Sequence, residues 1–168
     1  MPKGLKQSSS VVAIGFSLNE SAANTFTEGS TDLNLSPLDR EVFVVLSANL
    51  DAAFPEMITA TDTSVRAALT TTSQDAMPTL ANANCLARLT ESIRTDAVSA
   101  VSFTQSATET PPATLEYIGI IATNDFFVQV EGTNNVAAKG VSGKVYGYRA
   151  VASADIYAAL VQSEVLSA

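Results

Sequence analysis

The sequence predicts a mainly β fold: a single antiparallel β-sandwich, of which a jelly roll is one form, with one or two short helices. Three observations predict it. Apolar runs rich in Val, Ile and Phe recur along the chain, and long polar connections with Gly, Pro, Asn and Ser separate them. No regular β-α-β alternation of the kind that builds a parallel sheet is visible. With 168 residues, 46% of them hydrophobic, the chain is long enough for one domain with a real core. The expected organisation is a flexible N-terminal arm over 1–10, a β-sandwich domain over 11–152 and a C-terminal helix or tail over 153–168.

The elements follow in chain order. Val11–Leu18 is rich in β-branched and aromatic residues and reads as a first strand. Residues 19–40 are polar and form a long connection, with a short extended piece at Asp32–Leu35. Glu41–Leu50 is a strong strand whose Val42-Phe43-Val44-Val45-Leu46 run is apolar on both faces, as in a strand buried between two layers. Asp51–Glu56, with Pro55, ends it. Ser64–Thr72 alternates, Val65, Ala67 and Leu69 against Arg66 and Thr70, and reads as a strand. Asn82–Ala97 is the mid-chain helix expectation, because Leu86, Leu89 and Ile93 fall at i, i+3 and i+7. Val98–Gln105 alternates again and is expected to stop before Pro111-Pro112. Within Leu115–Glu131, Tyr117–Ile121 and Phe126–Val130 flank Thr123-Asn124-Asp125, which predicts a β-hairpin. Val141–Ala152 is a further strand, with Gly143 and Gly147 as bulge positions. Ser153 caps a terminal helix from Ala154 to about Leu166, with Ile156, Leu160 and Val161 turned inward.

The chemistry-bearing residues are scarce. The chain has no His, no Trp and one Cys, so the usual general bases, soft metal ligands and nucleophile partners are missing. Ala, Ser and Thr fill 62 positions (26, 18 and 18), and 15% of residues are charged. No Gly-x-Ser-x-Gly elbow occurs, and no pair among the 17 acids stands out as a facing carboxylate pair. The sequence therefore predicts no enzyme, no catalytic residues, no cofactor and no assigned metal site. Asp51, Glu56 and Asp62 lie close in sequence near loops and are the one group that offers oxygen ligands for a cation such as Ca²⁺, without EF-hand spacing. Asp32 and Asp39 are weaker candidates. Gly140–Lys144 lacks the phosphate-loop spacing and reads as a turn entering a strand. Tyr146, Tyr148 and Arg149 form a candidate recognition patch, although two tyrosines on one strand face suit a core or interface better. Cys85 reads as a small buried hydrophobe.

Nine Lys and Arg against 17 acids give a net charge of −8, which disfavours strong nucleic-acid or anionic-membrane binding. Lys3 and Lys6 lie in an acid-free stretch over 1–19 and offer at most a weak nucleic-acid contact. No secretion signal is read at Val11–Leu18, and no apolar stretch approaches the roughly 20 residues of a membrane span.

An arm over Met1–Ser10, strands from Val11 to Ala152 and a tail from Ser153, in an Ala/Ser/Thr-rich, charge-poor chain, resemble small viral capsid structural proteins of the single jelly-roll coat or cement and decoration type. The resemblance is one of layout. It implies a virion protein, assembled in the host cytoplasm, that associates with copies of itself and other virion proteins and takes no small-molecule substrate or cofactor. Pilus, fibre or adhesin subunits, which are also Ala/Thr/Ser/Val-rich acidic β-sandwiches, stand as one alternative, and a carbohydrate-binding β-sandwich module, against which the lack of His and Trp weighs, as another. The expected contacts are the arm at Lys3–Ser10, the loop at Asn19–Pro37 and the tail at Tyr157–Leu166.

Overall fold

The computed structural model describes residues 2–106 and 115–168. Met1 and the expected stop at Pro111-Pro112 lie outside the described residues. Ten strands are present among them: β1 (Leu5–Gln7), β2 (Val12–Asn19), β3 (Thr27–Asp32), β4 (Glu41–Ala52), β5 (Thr63–Thr70), β6 (Cys85–Thr95), β7 (Ala100–Ser106), β8 (Gly119–Ile121), β9 (Asp125–Thr133) and β10 (Gly140–Ala152). The helix α1 (Ala154–Leu166) follows. They form two antiparallel five-stranded sheets. The first runs β1-β10-β4-β8 with β2 also on β10, and the second runs β3-β9-β5-β6-β7.

The pairings are nested. β2 pairs with β10, β3 with β9, β4 with β8, and β5 with β6. This is the pairing of one eight-stranded hairpin whose two arms have been rolled together. β10 closes on β4, and β9 on β5. The result is a jelly roll, extended by β1 at the first sheet and by β7 at the edge of the second. Away from the β5–β6 tip, rolling sends successive strands of the hairpin to opposite sheets. The expected hairpin over Tyr117–Val130 is therefore corrected: β8 joins the first sheet on β4, and β9 joins the second between β3 and β5. Thr123-Asn124-Asp125 bridges the two layers instead of folding one strand on its neighbour.

The core lies between the sheets. Phe43, Val45 and Ala48 of β4 meet Val65, Ala67 and Leu69 of β5, Ala87 of β6 and Phe126, Val128 and Val130 of β9. Phe16 of β2 meets Phe126 edge to face, with ring centroids 5.7 Å apart. The opposite face of β4, Val42 and Val44, lies under α1 together with Tyr148, Ala150 and Ala152. So the doubly apolar run of β4 does lie between two layers. A bulge keeps its inward face continuous: Gly147 pairs with Val45 and Tyr146 with Ser47, leaving Leu46 as the extra residue. This shifts the inward positions from 43 and 45 to 48, 50 and 52.

The helix expected over Asn82–Ala97 is a strand. Its buried positions are Ala87, Leu89, Glu91 and Ile93, a period of two. Leu86 is the bulge residue, since Leu69 pairs with Ala87 and Thr70 with Cys85. The Leu86–Leu89–Ile93 spacing thus joined a bulge residue to two inward residues. The expected extended piece at Asp32–Leu35 begins earlier, at Thr27, and Leu33 and Leu35 are buried as it leaves the sheet. Within the expected arm, Leu5, Lys6 and Gln7 pair with Ala152, Val151 and Ala150, and Leu5 is buried. The expected terminal helix is present, and Ile156, Leu160 and Val161 pack on the first sheet with Tyr157. Ser153 occupies the N-cap with extended backbone but makes no side-chain cap bond. Among the described residues, no helix is long and apolar enough to cross a membrane.

Candidate functional site

The loops 20–26, 53–62, 96–99 and 134–139 gather at one end of the sandwich, and their acids are used as braces. Glu56 accepts hydrogen bonds from the amides of Val136 and Ala137, and Lys139 Nζ stands 3.8 Å from its carboxylate. These amides hold its carboxyl below the usual range. Asp62 accepts from the Thr95 amide at 2.9 Å and from Arg94 at 2.8 Å, which lowers it in the same way. The buried Glu20 accepts from the amides of Thr25, Gly132 and Lys139. Asp51 points elsewhere, on β4 opposite Ser142. The structure does not bring Asp51, Glu56 and Asp62 together. Among the described residues, no group of three or more carboxylate, thiol or imidazole ligands could share a metal ion.

Other candidates also resolve into structure. Asp32 accepts from the Asn34 amide and from Asn124 Nδ2, each at 2.6 Å. Asp39 accepts from Ser36 Oγ at 2.8 Å. Gly140–Lys144 begins β10. Tyr148 is buried beneath α1, and Arg149 donates to the carbonyls of Leu33 and Asn34 and to Glu41. Cys85 is half-buried with its thiol pushed up by that burial, which suits packing and not reactivity. Lys3 and Lys6 are exposed. Of the three expected contact segments, the first supplies an edge strand, the second holds β3, and the third is docked as α1 with Val165 and Leu166 left exposed.

The feature that stands out is the β7 edge. All seven residues of Ala100–Ser106 are exposed, none is charged, and β7 pairs only with β6 among the described strands. Val101 and Phe103 remain more than half exposed. The register places Phe103 opposite Ser92, Val101 opposite Arg94 and Gln105 opposite Thr90. All of these lie on the outer face of the second sheet, because Ala87, Leu89 and Ile93 point inward. At the end of this hairpin, Val98 is 93% and Met57 71% exposed, and together with Thr59 and the 95–100 turn they line a cleft of about 340 Å³.

The same outer face carries Arg66, Arg88 and Arg94. Arg66 pairs with Glu131 at 2.7 Å and Arg94 with Asp62 at 2.8 Å. Arg88 lies diagonal to Arg66, with Ala68 directly across from it. Its Nε is buried without a hydrogen-bond partner, and no described carboxylate pairs with it. An uncharged edge, exposed Val and Phe, and arginines beside them make up the residue set that anchors protein interfaces. The sequence named Val101 and Phe103 as strand residues but did not single out this surface. The helix expected over Asn82–Ala97 hid the alignment of Arg88 and Arg94 with them.

Among the described residues, fold and surface define a jelly-roll β-sandwich with an uncharged, exposed strand, β7, at the end of the second sheet. No family model matches the sequence, and no curated protein does. Among solved structures, the chain is similar to one from Desmodium yellow mottle tymovirus, with 13% identity and a TM-score of 0.31, over 92% of this chain and 95% of that one. It is also similar to the tailspike protein gp49 from Acinetobacter baumannii bacteriophage Fri1, a capsular polysaccharide depolymerase, with 13% identity and a TM-score of 0.17 over 72% of this chain and 20% of that one. The chain thus spans a fifth of the tailspike's length. Superpositions this loose carry no functional weight, and jelly rolls host unrelated functions.

Proposed function

We propose that this chain is a structural protein of a virus particle, a coat or capsid-decorating subunit that self-associates into a symmetric shell and performs no catalysis. The observation that carries this reading is β7. Sheet proteins that remain monomeric blunt their edges with charges, Pro, bulges or covering segments. Ala100–Ser106 carries neither charge nor Pro, and its Val101 and Phe103 are open to solvent. The chemistry-poor composition supports the same reading. Many weak contacts of this kind add through repetition around a symmetry axis.

Sedimentation of the purified protein across concentration and salt tests the reading, with electron microscopy of the source particles. Assembly is expected to grow with concentration, and Phe103→Asp is expected to reduce it at least tenfold while leaving stability within about 0.5 kcal/mol, as for other exposed positions. A protein that stays monomeric throughout, and is absent from particles, overturns it. An open strand edge also suits head-to-tail addition, which gives a fibre when the rotation does not close. Filaments in place of closed shells would favour a pilus or fibre subunit.

A further inference from the structure

Two features of the outer face of the second sheet are uncompensated, and they complement each other. The first is Arg88, half-buried, with Nε unpartnered and no ion pair to a described residue. The second is a like-charge pair. Asp32, the last residue of β3, lies directly opposite Asp125, the first residue of β9. Phe126, Val128 and Val130 point into the core, so Asp125 and Asp32 share the outer face. Like charges directly opposed across strands destabilise a sheet. Asn124 bridges to Asp32, but no cation pairs with either aspartate among the described residues.

Within one molecule the two cannot meet. Asp32 and Asp125 lie at the β3–β9 end of the sheet, with β5 separating β9 from β6 and Arg88. The loop after β5 also stands on this face: Ser73 Oγ and the Gln74 amide donate to Glu28. Among the described residues, neither the aspartates nor Arg88 has a counter-charge.

We propose that the outer faces of the second sheet contact one another between copies of this chain, with Arg88 of one copy seated between Asp32 and Asp125 of another. This rests on the self-association proposed above and names its contact. Charge complementarity identifies the occupant as a second copy. A guanidinium offers two parallel donors to a carboxylate pair, and each copy carries both halves of the contact. Phe103 and Val101, on the neighbouring strand and opposite Ser92 and Arg94 farther along β6 from Arg88, supply the apolar part.

The test uses Arg88→Asp and Asp125→Arg, each checked for native circular dichroism, alone and mixed. Each variant alone is expected to associate at least tenfold more weakly than the unmodified chain: Arg88→Asp sets a carboxylate against Asp32 and Asp125, and Asp125→Arg sets a guanidinium against Arg88 and leaves Asp32 alone to hold it. The equimolar mixture is expected to recover association. The carboxylate introduced at position 88 of one variant then faces the guanidinium introduced at position 125 of the other, and the retained Arg88 and Asp125 pair in the reverse sense. Recovery also shows that both variants are folded. An unmodified chain that never associates overturns the self-association and this contact with it. Variants that associate as well as the unmodified chain, or a mixture that recovers nothing, overturn this contact alone and leave the β7 reading standing if Phe103→Asp still blocks assembly.

Discussion

Glu164 reaches down from the last turns of α1 and accepts the Ala122 amide at 2.9 Å, and the same oxygen accepts the Thr123 amide at 3.0 Å. These two bonds join the helix to the crossing between β8 and β9, where the chain passes from one sheet to the other. Asn84, in the turn just before β6, completes the clasp by donating to the Ser167 carbonyl at 2.8 Å. The other Glu164 oxygen is buried without a partner. Glu164 also lines, with Thr71, Asn84, Leu86 and Ser163, a cleft of about 230 Å³.

Burial pushes the Glu164 carboxyl above its usual value, against the lowering effect of the two amides. A group raised in the folded state contributes stability that is fully present below its unfolded value and lost as pH rises through the folded one. Glu164→Ala strands both amides and is expected to cost about 1–3 kcal/mol. Glu164→Gln keeps an acceptor and removes the titration. Urea midpoints followed from weakly acidic to neutral pH should decline for the unmodified chain relative to Glu164→Gln. Parallel curves would show that Glu164 does not titrate in this window.

The loop end behaves in the opposite sense. Glu56 and Asp62 are lowered, chiefly by the amides of Val136 and of Thr95 respectively. Asp96 is lowered by the Val98 and Ser99 amides. Groups lowered in the folded state contribute stability above their unfolded values and lose it as pH falls through the folded ones. Acid unfolding is therefore expected below the ordinary carboxylate range, beginning with exchange of the Val136, Ala137 and Thr95 amides. Hydrogen exchange read by mass spectrometry at stepped pH locates this opening. Opening of the α1 clasp before the 53–62 and 134–139 loops would contradict it.

Two glycines of the first sheet should answer differently to the same change. A Cβ at Gly147 would press on the Val44 carbonyl oxygen and stand 2.5 Å from the Phe43 ring, whereas one at Gly15 would meet nothing nearer than 4.0 Å. The backbone beside Gly147 cannot yield without disturbing the bulge at Leu46. Gly147→Ala is expected to lose about 1–3 kcal/mol, the usual range for overpacking. Gly15→Ala should be neutral or gain up to about 1 kcal/mol from reduced freedom of the unfolded chain. Thermal melts of the two variants decide it, and equal losses would remove the role assigned to the Phe43 contact.

Much of the fold was legible along the chain. The doubly apolar Val42–Leu46 run announced a strand between two layers, and α1 lies over one side of it. The alternation in Val65–Leu69 and the Val141–Ala152 run became β5 and most of β10. β6 was misread because its inward row includes Glu91, which is buried and accepts from Thr104 Oγ1 at 2.6 Å. A charged residue at an inward position broke the alternation, and Leu86 in its bulge supplied a false helical spacing. The surface was legible only in part. Phe103 and Val101 were visible as strand residues, but whether anything covers them depends on which strand ends the sheet.

The sequence by itself determined the class of structure and the poverty of its chemistry. Strand propensity, turn residues and the terminal helix are local signals, and the absence of His and Trp is a matter of counting. Tertiary structure decided the rest: that β8 and β9 part into different sheets, that Asn19 meets Gly140, that Glu56 and Asp62 spend their oxygens on backbone amides, and that Asp32 faces Asp125. Each of these depends on partners brought together from distant positions, as when the end of β2 meets the start of β10. Local periodicity shows which way a side chain points but not what it will meet, because that is set by the rolling of the whole hairpin into two sheets.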